Sequence, residues 1–240
     1  MDRGLYIAAS GMLAEQARQD QIANDLANAS TAGYKADRSA QTSFGELLLA
    51  NRTTGRQIGP LALGSTIAEI RTDVTPAALK QTDQPLDVAL EGEGFFAIQT
   101  PQGTRYTRDG QFTIDAQGRL TDSVGRPVLD DGGRTIAAGG ADGLTIGADG
   151  TVSRNGRQLG RLGVVSLTNP VKQGDTLFTG TPGQRPAGTA VHQGFLETSG
   201  VNAATAMIDM ITSMRAYEAG MKVLNSIDET LQKGIGAGGA

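Results

Sequence analysis

The chain has no cysteine in its 240 residues, which excludes disulfides and thiolate zinc sites. If it is exported, it must be stable without covalent staples. It also lacks any apolar run approaching the ~18 residues that cross a bilayer, so no membrane insertion is expected. The opening MDRGLYIAASGMLAEQ has a short apolar run that is broken at Ser10-Gly11 and followed by Glu15 and Gln16. No cleavage site follows, so this is not read as a secretory signal. The expectation is a cytoplasmic protein, or one exported by a route that leaves its N-terminus uncleaved. There is no basic stripe: the net charge is −4 with acids and bases intermixed, which argues against a nucleic-acid partner. Aromatics are 4% and prolines only 8, against 34 glycines. Abundant glycine with few aromatics points to many tight turns and an all-β middle.

Residues for catalysis are equally sparse. The single histidine, His192, sits in the Gly-flanked stretch TAVHQGF and reads as a surface or loop residue. GEGFFA at Gly92–Ala97 fits a relaxed G-x-G-x-x-A fingerprint. Its second half, FFAIQ, reads as a strand, whereas phosphate binding needs a helix N-terminus there. Glu91, Glu93, Asp109 and Asp115 are the carboxylates available to a wall-cleaving glycoside hydrolase, yet each lies in or beside an expected turn. Asp130-Asp131-Gly132-Gly133 lacks the alternating spacing of a calcium loop and reads as a turn. No enzyme activity, cofactor or metal is expected.

The chain does have heptad order at both ends. Met207, Met214 and Met221 recur every seven positions, and Met210, Tyr217, Leu224 and Leu231 repeat with the same period, offset by three. This 3.5-residue repeat specifies a helix that packs against another long helix. A methionine seam suits a surface that must fit several slightly different neighbours. The plainer alternative is an ordinary core helix. Asn202 is the expected N-cap, and Gly234 and Gly236 the expected stop. At the other end, Leu5, Ala9, Met12, Gln16, Gln19, Ala23 and Leu26 follow a 4,3 spacing on an alanine-rich helix. Ser30, Thr31 and Gly33 end that helix. Two long helices at opposite ends suggest pairing, and the pair still leaves faces that want further helices. An assembling protein is expected, whose thin helical faces are marginal in isolation.

Between the helices the pattern changes. Residues 37–81 read as a connector, partly helical and then extended. Residues 82–198 read as a β domain of short strands: Leu86–Leu90, Phe95–Gln99, Tyr106-Thr107, Gln111–Ile114, Arg119–Thr121, Pro127–Leu129, Leu144–Ile146, Thr151–Ser153 and Leu162–Leu167. Asp149-Gly150 and Asn155-Gly156 read as two-residue hairpin turns. The fold class is therefore α+β, with residues 1–36 and 199–236 forming a terminal coiled-coil domain and an antiparallel β domain inserted between them.

Three segments carry a resemblance to the bacterial flagellar rod and hook family. They are ANDLANASTAGYKAD (Ala23–Asp37), TDQPLDVALEGEGFFAI (Thr82–Ile98) with YTRDGQF (Tyr106–Phe112), and LETSGVNAATAMIDMITSMRAYEAGMKVLNSIDETLQ (Leu196–Gln232). The resemblance implies a non-enzymatic subunit with an inner helical layer around an export channel and a β outer wall. It also implies delivery by the flagellar type III export apparatus, without cleavage, to the basal body in the cell envelope. Its expected partners are other rod subunits and copies of itself. The opening MDRGLYIAASGM resembles the proximal-rod class, and the remainder also suits the distal-rod class. Gly200 stands where the family often has Asn, and Thr205-Ala206 replace a common acidic pair. Rivals from other classes are a peptidoglycan hydrolase and a coiled-coil adhesin. Leu5, Met12, Leu26, Met207, Met210, Met214, Tyr217, Met221, Leu224 and Leu231 are the expected packing residues. Asn24 and Asn28 are either register-setting amides or simple caps near Gly33.

Overall fold

A computed structural model describes residues 2–50, 57–174 and 176–238. The fold is α+β, and the chain divides into two compact units. One contains residues 1–27, 37–71 and 202–240, and the other residues 28–36 and 72–201.

In the helical unit, α1 (Asp2–Ala27) and α2 (Ala203–Gly238) run antiparallel. Gly4 lies by Ile227 and Gly220 by Met12, while Ser213 bonds Glu15. At ~1.5 Å per residue they are about 39 and 54 Å long. Asn202 caps α2, its Oδ1 accepting from the Ala204 and Thr205 amides at 3.0 and 3.2 Å. Gly234 and Gly236 do not stop α2, which runs on to Gly238. A glycine stops a helix by adopting the left-handed conformation, and Gly234 does not adopt it. Nor is there helix among the described residues of 37–81, which were expected to be partly helical. Asp37–Ala50 and Gln57–Thr72 pair as a two-stranded ribbon.

In the β unit every recorded strand pair is antiparallel. The largest sheet has the order Val164–Val165, Phe95–Thr100, Gly103–Thr107, Leu177–Pro182, Leu167–Lys172. Its strand Phe95–Thr100 is buried on both faces. Phe96 belongs to a cluster with Phe112, and Phe95 to a second cluster with Tyr106 and Phe178. Edge-to-face rings fix the first (Phe96 to Phe112, 5.2 Å, 77°).

An eight-residue rhythm builds the larger cluster. Phe112, Leu120, Val128, Ile136, Leu144 and Val152 stand eight apart and are all buried in one core. The first turns between them share one sequence pattern, D-x-x-G-R: DAQGR from Asp115, DSVGR from Asp122 and DDGGR from Asp130. In each, Asp Oδ1 accepts two backbone amides at 2.8–3.0 Å. Oδ2 accepts the Nε of the arginine four residues on. Gly118, Gly125 and Gly133 supply the positive φ (77°, 92° and 76°) that closes the turn. The short strands are thus set by turn chemistry, with one such turn between each successive pair of Phe112, Leu120, Val128 and Ile136. Asn155-Gly156 is a two-residue turn as expected, with Arg154 opposite Arg157. Asp149-Gly150 is instead the second half of a four-residue connection between Leu144–Ile146 and Thr151–Arg154. The Asp149 carboxylate there caps Thr151 through its amide and its hydroxyl.

Candidate assembly surface

The seam between α1 and α2 has two lines on each helix. On α2, Met210, Tyr217, Leu224 and Leu231 are half-buried with a heptad period. The companion line is Ala206, Ser213, Gly220 and Ile227. Small residues occupy the closest approach because little else fits. A Cβ on Gly220 would stand 2.7 Å from Met12 Cγ, and Ser213, fully buried, gives its hydroxyl to Glu15 Oε2 at 2.7 Å. On α1, Met12 is buried and Gln19 and Leu26 are half-buried, with Ala8, Glu15 and Ile22 as the second line.

The expected packing residues therefore divide. Met12, Leu26, Met210, Tyr217, Leu224 and Leu231 lie in or beside this seam. Met207, Met214 and Met221 are exposed at 54%, 49% and 41%, and Leu5 at 42%. On both helices the seam takes the line one residue before the expected one. It uses 206, 213 and 220 rather than 207, 214 and 221, and 8, 15 and 22 rather than 9, 16 and 23. At 100° per residue this turns the methionines onto one flank of the pair. Ile208 and Ile211 are exposed close by, and on α1 so are Tyr6 and Leu13. Asn24 is exposed on α1. Asn28 lies beyond the helix, in a turn where its Oδ1 accepts the Thr31 hydroxyl at 3.2 Å.

Three charged side chains escape a reading of the sequence although its motifs contain them. Lys35 (from GYK), Arg108 (from TRDG) and Glu197 (from LETS) meet inside the β unit. Their side chains are at most 1% exposed. Lys35 Nζ is 2.5 Å from Glu197 Oε1, and Arg108 Nη1 is 3.1 Å from Oε2. Lys35 also donates to the Thr75 carbonyl, Arg108 to that of Gly92, and the Ala77 amide donates to Glu197. The guanidinium stacks 5.3 Å above the Phe95 ring, while its Nε has no hydrogen-bond partner among the described residues. Burial outweighs the attraction of Glu197 and pulls the Lys35 ammonium below its ordinary pKa, and Arg108 shifts the same way for the same reason. Two backbone bonds tighten the site, Gly33 N–H to Glu197 O at 2.9 Å and Gly200 N–H to Tyr34 O at 2.8 Å. Gly33 needs φ of +64° with the Arg108 backbone 2.3 Å from any Cβ, so only glycine fits. The signal in the sequence was a charge in each motif beside residues that bury.

The carboxylates considered for hydrolysis lie elsewhere. Asp115 is held by Arg119, and Glu91 pairs with His192 across neighbouring strands at 2.6 Å. Asp109 is raised above the usual carboxylate range by burial, reinforced by Asp122 and Asp87. Gly92 and Gly94 link two strands, Val88–Glu91 and Phe95–Thr100, so the expected helix-free reading of GEGFFA holds.

Comparison with known proteins extends these observations along the whole chain. Residues 5–35 match the flagella basal body rod protein family, residues 89–154 the flagellar hook protein FlgE/F/G D1 domain, and residues 192–237 the flagellar basal body rod FlgEFG protein C-terminal family. The chain is 36% identical to flagellar basal-body rod protein FlgF of Escherichia coli, covering 95% of each. It is 33% identical to FlgF of Caulobacter vibrioides over 98% of this chain and 97% of that one. It is also 33% identical to flagellar basal-body rod protein FlgG of Bacillus subtilis over 97% and 98%. The chain belongs to the flagellar basal-body rod family, as one of its structural subunits.

Proposed function

We propose that this subunit builds the proximal part of the rod and transmits torque through axial packing of its terminal helices. In this reading α1 and α2 act as a coiled coil in an inner layer that lines the export channel. The partners are other rod subunits and further copies of the chain, delivered by the type III export apparatus to the periplasmic space. No catalytic step is assigned, because the candidate carboxylates serve turns and cross-strand pairs.

One observation carries the proposal. A heptad line of methionines stands exposed on a helix pair whose own seam is already closed by other residues. An exposed apolar stripe of that length marks an interaction surface, and methionine adapts to non-identical neighbours. Electron microscopy of basal bodies from cells lacking this chain tests it. Rods that stop short, without hook, are expected, and complete rods with hooks attached overturn it. Hydrogen exchange on the dilute subunit adds a second check. Faster exchange in α1 and α2 than in the β unit is expected, with slowing on assembly.

A further inference from the structure

The helix pair has two unlike flanks. On one stands the ridge of Met207, Met214 and Met221. On the other, α1 and α2 enclose an apolar groove of about 410 Å³, bordered by Gly4, Ala8, Gly11, Met12, Ala216 and Val223. Gly4 and Gly11 are seven residues apart, as are Ala216 and Val223. The groove thus repeats along the helices with the period of the ridge. Its extent from Gly4 to Glu15 is about 16 Å, against about 21 Å for the ridge. Their charges also differ. Glu15 lines the groove, whereas Arg215 and Lys222 directly follow Met214 and Met221 and are exposed. Glu218, exposed between them, leaves the ridge margin with one excess positive charge.

We infer that ridge and groove are two halves of one interface, the ridge of one copy seating in the groove of the next. This rests on the assembly reading above and specifies its geometry. Flexible methionines at heptad spacing enter holes floored by glycine and alanine, as knobs enter holes between coiled-coil helices. Because the surfaces are different and lie on opposite flanks, the contact is heterologous. A docked copy still presents a free ridge on one side and a free groove on the other. Such a contact propagates instead of closing on two copies.

The absence of cysteine makes the test clean. Two single-cysteine full-length proteins, Met214→Cys and an affinity-tagged Ala216→Cys, are mixed while reduced and then oxidised, with each oxidised alone as a control and sedimentation run in parallel. The mixed ridge-to-groove dimer is expected as the main disulfide product, with homodimers in the minority. Val124→Cys, on the exposed surface of the β unit, is expected to give no enrichment. Ala216→Arg, which fills the groove from its exposed rim, is expected to abolish sedimenting assemblies while leaving the circular-dichroism spectrum unchanged. Dominance of the Met214→Cys homodimer in material that still assembles overturns the ridge-and-groove contact alone, replacing it with a symmetric one. Material that does not associate at any concentration overturns both this contact and the self-assembly beneath it.

Discussion

The β unit and the helical unit solve the same problem to different degrees. In the β unit, apolar residues from nearly every strand reach one of two buried clusters. Its buried charges are paired, and its tight turns are closed by their own carboxylates. In α1 and α2 the buried apolar residues, among the described residues, are Met12, Ala14, Ile22 and Ala206. Larger side chains such as Ile208, Ile211 and Met214 are left in solvent. Hydrophobic stabilisation scales with apolar area removed from water, so the β unit is complete as it stands and the helical unit is not. A long helix pair with so thin a seam is marginal. The buried area it lacks is present on its surface, in heptad order, for a neighbour to cover.

The largest break in this contrast is expected at the buried charge cluster. Glu197→Gln leaves the Lys35 ammonium and the Arg108 guanidinium buried without a counter-charge. Removing one partner of a buried pair costs about 3–5 kcal/mol. Denaturant unfolding followed by circular dichroism in the β-sheet region should show a loss of that order. A loss below ~1 kcal/mol would mean that water replaces the carboxylate and that the cluster does not hold the three motif segments together. Next in size, Leu120→Ala removes one position of the eight-residue core and should cost about 2–5 kcal/mol.

Overpacking the helix seam comes third. Ser213→Leu places a bulky group at a fully buried position of the seam and removes a hydroxyl partner of Glu15. A cost of about 1–3 kcal/mol is expected, read as lost helical signal at 222 nm with the β unit's unfolding midpoint unchanged. A shift of both together would contradict the separation of the two units.

These cases also show how much could be read in advance. Strands flanked by Gly and Asp turns were legible because a turn has a local code, and Asn155-Gly156 obeyed it. The eight-residue period and its D-x-x-G-R turns were equally local and visible as a repeat, but escape a scan tuned to periods of 2 and 3.6. The helix seam was legible only in part. Apolar weight pointed to Met207, Met214 and Met221, yet a close helix crossing selects small residues, and these stand one position earlier. Hydrophobicity cannot say which of two adjacent lines faces inward when one is large and the other small. The cluster of Lys35, Arg108 and Glu197 was not legible, because residues 162 positions apart meet there. Charged residues are taken as exposed unless a partner is known.

Smaller still is the expected response to pH. Lys35 has a folded pKa below its ordinary value of 10.5. Between those two values the unfolded chain binds more protons than the folded one, so stability rises with pH in that window. The slope is at most about 1.4 kcal/mol per pH unit. Asp109 works in the opposite sense. Its folded pKa lies above 3.8, so the folded state binds more protons there, and stability falls as pH rises from 3.8 through the raised value. Unfolding midpoints across both ranges, with Lys35→Met and Asp109→Asn as references, check the two signs. Retention of the alkaline rise in Lys35→Met would assign it to another group.

The smallest effect on stability should accompany a large effect on assembly, and this separates the two units most sharply. Met214 is half exposed in the free subunit. Met214→Gln there exchanges one solvated, unbranched side chain for another of similar helix propensity. Its unfolding free energy should stay within about 0.5 kcal/mol of the parent, as for surface substitutions away from caps and cores. In the assembly the same amide would be buried among apolar atoms, where an unpaired polar group costs about 1–3 kcal/mol. Repeated at each subunit along a rod, that cost should raise the concentration needed for assembly by about 5- to 150-fold. If Met214→Gln weakened the monomer as much as the assembly, the residue would belong to the subunit's own core. The exposed stripe would then not be a surface held for a neighbour.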